Sequence, residues 1–179
     1  MKYVDATPLI YRKIYDIIRA YTNQDVGLVI SFTEDIPEVF GNVKLDSLDE
    51  GEPLTIRINI PLIDEKVLNT HLSKNNDGYT RLGMYKYMDN IKDYKYLYYE
   101  KVLMAIVLHE IGHILHLNIA RYAGCDNSEI HKLMDDFNFG ITSEFLANEF
   151  MINNFNKCMA INVYGEIQLL HDILNRLEI

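Results

Sequence analysis

Two histidines and a glutamate stand together in the segment His109-Glu110-Ile111-Gly112-His113. Histidines four positions apart lie about 40° apart around a helix, so both rings leave the same face and can bind one tetrahedral zinc ion. Glu110 lies about 100° from His109 around the helix. It is therefore badly placed to be a third ligand, but it can reach a water molecule at the metal.

This spacing predicts hydrolytic chemistry. Zinc lowers the pKa of a bound water towards ~7 and polarises a substrate carbonyl. Glu110 then acts as a general base, taking a proton from the water and passing it to a leaving amine. The segment falls within a predicted buried helix, where polar groups without partners are costly. The sequence therefore favours a metal site over a set of polar residues that face solvent or satisfy one another.

A catalytic zinc site usually needs a third protein ligand. Glu144 and Asn148 are four residues apart and share one face of a second predicted helix. We expect Glu144 to bind the metal and the Asn148 side-chain oxygen to accept a hydrogen bond from the N–H of a ligand imidazole, which fixes the tautomer. Glu149 lies about 140° from Glu144, so the two are not expected to bind together. The alternative for Glu144 is a carboxylate that stabilises a helix N-terminus.

The two segments together resemble the ImmA/IrrE group of zinc metallopeptidases and, more broadly, the gluzincins. In gluzincins a ligand glutamate is followed four residues later by Asp or Asn, as happens in Glu144–Phe150. The resemblance covers residues 96–155, about a third of the chain. The sequence lacks the Leu-Met-Pro ending of the ImmA/IrrE pattern and has no separate helix-turn-helix domain.

The resemblance implies the same site residues as the spacing does. It implies His109, His113 and Glu144 as zinc ligands and Glu110 as the catalytic base. It also implies a zincin fold, in which a strand along the cleft binds extended substrate by edge pairing.

Other histidines are weaker candidates. His116 lies about 20° from His109 around the helix, so it could line the cleft or replace Glu144 as a ligand. It sits one turn further along the axis, and a regular helix would not easily bring three rings to one metal; we favour a cleft-lining or surface position. Nothing in the sequence selects a transition-state hydrogen-bond donor from among the remaining candidates, which include His131, His171 and Tyr164.

Two short apolar segments predict strands. Residues 25–32 are apolar and β-branched, and residues 55–60 alternate with three isoleucines on one face. Pro61 follows at once and favours an edge position or a strand end. Residues 56–60 are our candidate for the substrate-binding strand that the resemblance to zincins implies, and this is compatible with an ordinary core-facing edge strand. Residues 33–46 are predicted to form a loop.

Helical spacing of apolar residues predicts helices over residues 8–21, 62–72, 96–123, 144–156 and 166–177. Gly124 is the expected C-terminal stop of the central helix, and Ser143 the expected N-cap of the next. Residues 73–92 are predicted to be a long surface loop.

The bulk properties exclude several classes of protein. The chain has 179 residues and a net charge of -9, so we expect one domain over residues 1–179 with no general attraction to nucleic acid or anionic lipid. The longest apolar run, Val102–Leu108, is far shorter than the ~20 residues of a membrane span. Cys125 and Cys158 are expected to be free thiols. With no signal peptide evident, the chain is expected to be a cytoplasmic protein of bacterial or phage type with no membrane partner.

These observations predict an α+β, zincin-like fold: a small twisted sheet packed on a central metal-binding helix, with a C-terminal helical part that supplies Glu144. The predicted function is that of a zinc-dependent endopeptidase acting on a protein or peptide, with Glu110 activating the water. The alternatives are a zinc-containing regulatory or binding protein without physiological hydrolysis, and an effector that cleaves one host target. Glu110 favours the enzyme, because a structural zinc has no use for a base.

Overall fold

The computed structural model describes residues 3–5, 7–33, 35–44, 54–61, 67 and 95–158. The strands and helices occur in the order β1 (Tyr3–Asp5), α1 (Thr7–Thr22), β2 (Gly27–Thr33), β3 (Gly41–Lys44), β4 (Thr55–Pro61), α2 (Lys95–Tyr122), α3 (Asn127–Asp135) and α4 (Phe137–Cys158). A sheet followed by a run of helices confirms the predicted α+β class.

The four strands form one mixed sheet in the order β1-β2-β4-β3. β2 and β4 are parallel, with Ile30 opposite Ile58, whereas β1 and β3 pair antiparallel with their neighbours. β4 therefore lies inside the sheet, and the prediction that residues 55–60 form a free edge is wrong. The alternation in that segment correctly identified a buried face, but it says nothing about neighbours within the sheet. Pro61 ends the strand and does not mark an edge.

β3 lies at one edge of the described sheet, with β1 at the other, and the sequence predicted β3 to be part of a loop. Gly41 lies opposite Ile58 and Val43 opposite Ile56. β3 contains one apolar residue in four and forms because β4 offers it hydrogen-bond partners, so its own sequence gives little strand signal.

The core lies between the sheet and helices α1, α2 and α4. Residues 102–112 of α2 are all buried, and isoleucines of α1, β2 and β4 pack around them. By length and composition alone, Lys101–Tyr122 could cross a membrane, but 78% of its most apolar window is buried inside the protein. This burial is expected of a central core helix.

The helix ends show which sequence signals were informative. α2 matches the prediction: its last residue is Tyr122, and Gly124, two residues later, has a left-handed φ of 96°. α4 begins at Phe137, six residues before Ser143, so the prediction that Ser143 is an N-cap is wrong. The Asp136 carboxylate instead accepts a hydrogen bond from Phe139 N at the start of α4.

α3 was not predicted, although the sequence carries its signal. The Asp126 side chain accepts from Glu129 N, and the Glu129 side chain accepts from Asp126 N, which is a complete capping box. Cys125 and Cys158 are free, as expected. Three predicted segments lie outside the described residues: the helix over 62–72, of which only Val67 is described, the helix over 166–177 and the loop over 73–92.

Candidate metal centre

The metal centre forms where α2 and α4 pack antiparallel. Gly112 lies directly against Ala147, and a Cβ placed on Gly112 would be 2.5 Å from Ala147 Cα. The two helix backbones can approach this closely only because residue 112 has no side chain. The contact places Glu144 beside the histidine-bearing face of α2.

Three ligand atoms converge across this contact. His109 Nε2 and His113 Nε2 are 3.0 Å apart, and each is 3.3 Å from one Glu144 carboxylate oxygen. Zn–N and Zn–O bonds of about 2.0–2.1 Å in a tetrahedron separate neighbouring ligand atoms by about 3.3–3.4 Å. His109, His113 and Glu144 could therefore hold a metal ion, as the sequence predicted.

The second nitrogen of each imidazole, Nδ1, contacts a polar side chain of α4. His109 Nδ1 lies 3.1 Å from Asn148 Oδ1, and His113 Nδ1 lies 2.8 Å from Ser143 Oγ. An amide oxygen only accepts, so His109 Nδ1 carries the proton and Nε2 keeps its lone pair for a metal. The predicted role of Asn148 agrees with this geometry.

Ser143 is a functional residue that the sequence analysis misassigned. It is 4% exposed and stands in the second turn of α4, with its hydroxyl on His113. The buried residues of α4 include Ser143, Ala147, Met151 and Phe155, each four apart. Extending the helical period upstream from Ala147 would have placed Ser143 on the face packed against α2.

Glu110 is buried beside the cluster and keeps free acceptor capacity. It is 3% exposed, and its Oε2 has no hydrogen-bond partner among the described residues. Burial raises the pKa of Glu110, while the charges of His109 and His113 act in the opposite direction. Gly41 of β3 covers this carboxylate, because a Cβ there would lie 2.6 Å from Glu110 Oε1.

A cavity of about 340 Å³ opens over the cluster. Edge strand β3 and the residues before it form one wall, and α2, α3 and α4 supply the others. Its lining residues are Glu38, Val39, Phe40, Gly41, Asn42, Val43, Ile106, His109, Glu110, His113, Leu117, Met134, Ser143 and Glu144.

The other candidate histidines lie elsewhere. His116 stacks on Phe139 with ring centroids 4.4 Å apart, and it is not part of the cavity lining. Burial, followed by the charge of His113, lowers the pKa of His116. His131 does not line the cavity either, and His171 and Tyr164 lie outside the described residues. Glu149 is exposed on the far side of α4, as expected for a residue that does not bind.

The chain matches no protein-family model, no curated protein and no solved structure.

Loss of a residue that supports a metal ligand typically weakens metal binding by about 10–100-fold. Glu144→Ala removes a ligand itself, so we expect it to weaken zinc binding by more than this. Glu149→Ala, on the exposed side of the same helix, should leave the affinity unchanged. Competition titration against a chromophoric chelator measures both. If Glu149→Ala weakens zinc binding more than Glu144→Ala does, the third ligand is Glu149 and not Glu144.

Gly112→Ala should lower the free energy of unfolding of the metal-free protein by about 1–3 kcal/mol, because the added methyl meets the Ala147 backbone. The control is Gly140→Ala, at a helical glycine whose added Cβ meets nothing within 4 Å. Helix propensity alone should make that variant more stable by up to about 1 kcal/mol. Urea unfolding measures both, and equal effects at the two glycines would contradict the close contact.

The stabilisation that zinc confers should grow between pH 6 and pH 8. Burial lowers the pKa of His113, but the Glu144 hydrogen bond and the charges of Glu110 and Glu144 outweigh it, so the pKa lies above 6.5. Protons therefore compete with the metal up to a higher pH than at an ordinary histidine.

In the metal-free protein the raised pKa of His113 also stabilises the fold. This stabilisation is complete below the unfolded pKa of about 6.5 and is lost as the pH rises through the pKa of His113 in the folded protein. Thermal melts with zinc and with EDTA across this range test both trends. A difference in melting temperature between the zinc and EDTA samples that shrinks with rising pH would contradict them.

Proposed function

We propose that the protein is a zinc-dependent endopeptidase with a gluzincin-type site, like that of the ImmA/IrrE group. The observation that carries the proposal is the pairing of a three-residue ligand cluster with Glu110, a buried carboxylate that keeps a free oxygen. A cluster that served only to hold the fold together would need no such group beside an open cavity.

The donor set suits zinc, since two imidazole nitrogens and one carboxylate oxygen are a common catalytic combination. A zinc ion bound there supplies Lewis acidity to a substrate carbonyl and lowers the pKa of water. Asn148 and Ser143 hold the two imidazoles in orientation. Glu110 Oε2 takes the proton of the attacking water and returns it to the leaving amine, and burial raises the pKa of Glu110, which favours proton uptake by its carboxylate.

The proposed substrate-binding edge is β3. Asn59 N donates to Phe40 O at 2.8 Å, so hydrogen-bonded pairs alternate along β3 and β4. Gly41 and Val43 therefore turn their backbone N–H and C=O groups away from β4, towards the free edge. An extended substrate can add there as a further strand, close to Glu110.

The charges around the cavity favour internal peptide bonds. Among the residues that the structure describes, its lining contains the carboxylates of Glu38, Glu110 and Glu144 and no lysine or arginine. An enzyme that removes C-terminal residues needs a cation for the terminal carboxylate of its substrate, and this lining offers none. An internal segment carries no such charge.

Glu110→Gln should keep zinc and lose peptide hydrolysis by about 10²–10⁴-fold, because an amide cannot take the proton. Metal analysis and cleavage of a peptide library by both proteins measure this. Wild-type protein prepared without chelators that contains no zinc would overturn the proposal. Stoichiometric zinc without cleavage by the wild type would favour the regulatory or binding alternative.

A further inference from the structure

We infer that one end of the cleft, formed by Leu117 and Met134, selects substrates with an apolar side chain next to the scissile bond and rejects acidic ones. The inference rests on the proposed function and adds the class of substrate. Met134 is the residue that sets the preference.

Leu117 extends the row of metal ligands along α2. It follows His109 by eight residues and His113 by four, so it lies on the same helix face, about 6 Å beyond His113 along the axis. An extended chain advances about 3.3 Å per residue. Measured from the midpoint of His109 and His113, Leu117 therefore lies about three residues of extended chain along the helix axis. It is 2% exposed, so it supplies only a small accessible area at the base of this end of the cavity, and Met134 supplies more.

Met134 lies at the same end of the cleft. α2 and α4 run antiparallel: His109 contacts Asn148, whereas His116, further along α2, stacks on Phe139 near the start of α4. The start of α4 is thus beside the Leu117 end of α2. Met134 precedes that start by three residues and also lines the cavity.

α3 holds Met134 in a defined place while leaving its side chain adaptable. The Asp126–Glu129 capping box fixes the start of α3, and Ile130 anchors it with 1% exposure. Met134 is 38% exposed, so part of its side chain is free to move. An unbranched thioether side chain adapts to different apolar partners. This end can therefore accept several apolar side chains.

The charges and size of the cavity restrict the substrate further. A bound zinc ion would offset two of the three carboxylate charges, and the described lining has no lysine or arginine, so one negative charge is left uncompensated and disfavours an acidic side chain. The volume of about 340 Å³ is near the lower end of the 300–1,000 Å³ typical of ligand pockets. It admits a short extended segment and no folded domain.

The inference can be tested by measuring the binding of peptide hydroxamates. These compounds bind zinc through the hydroxamate group and differ only in the side chain next to it. The series carries Leu, Phe, Ala, Lys or Asp, and calorimetry on the zinc-loaded protein gives each affinity. We expect Leu and Phe to bind about tenfold or more tightly than Ala, and Asp to bind most weakly. A cleavage library should show the same preference at one position.

Met134→Lys should remove most of the Leu advantage and improve binding of the Asp compound. Met134→Ala introduces no charge and should reduce the Leu advantage several-fold. The control is Ile119→Lys, at a residue of α2 that is 62% exposed and outside the cavity lining, and it should leave the ranking unchanged. Unchanged zinc affinity in all three variants shows that the site is intact.

Hydroxamates that bind without an apolar preference, or a ranking that Met134→Lys leaves unchanged, would overturn the inference while the proposed function stands. If the protein binds zinc and cleaves no peptide, the proposed function fails, and the hydroxamate ranking still decides whether the pocket is selective.

Discussion

The backbone contact between Gly112 and Ala147 is the constraint on which the candidate site depends. It fixes the separation of α2 and α4 at a point between His109 and His113 along the helix. Only at that separation does Glu144 come within 3.3 Å of both imidazoles. The position of the ligands is therefore set by core packing, which resists small displacements because protein interiors are densely packed.

Placing polar groups in a core requires partners for them. His109 and His113 each have one on α4, which orients the ring and leaves the other nitrogen directed at Glu144. Glu110 Oε2 is the exception among these groups, since it is buried with no partner among the described residues. A buried acceptor without a partner is unfavourable for folding. Under the proposed function, this oxygen is the atom that accepts the proton.

Features encoded by local periodicity were predictable from the sequence. These include α2, the ligand face, Glu144 and the contact of Asn148 with an imidazole. The position of β4 was not, because alternation of side chains reports the two faces of a strand and carries no information about which strand lies beside it. β3 was missed for a related reason: its four residues become a strand through pairing with β4. Ser143 was misassigned because a serine before a glutamate is also a common helix start.

The antiparallel course of α2 and α4 separates the candidate ligands from the residues that connect the two helices. Residues 123–136, which include α3, link the two halves of the ligand set and contribute no ligand to it. This connection can change in length or sequence without moving His109, His113 or Glu144. Because it carries Met134 into the cavity wall, the shape of the cavity can diverge among related proteins while the ligand cluster stays fixed. A sequence pattern that keeps both halves and leaves the gap between them open is the appropriate way to search for such relatives.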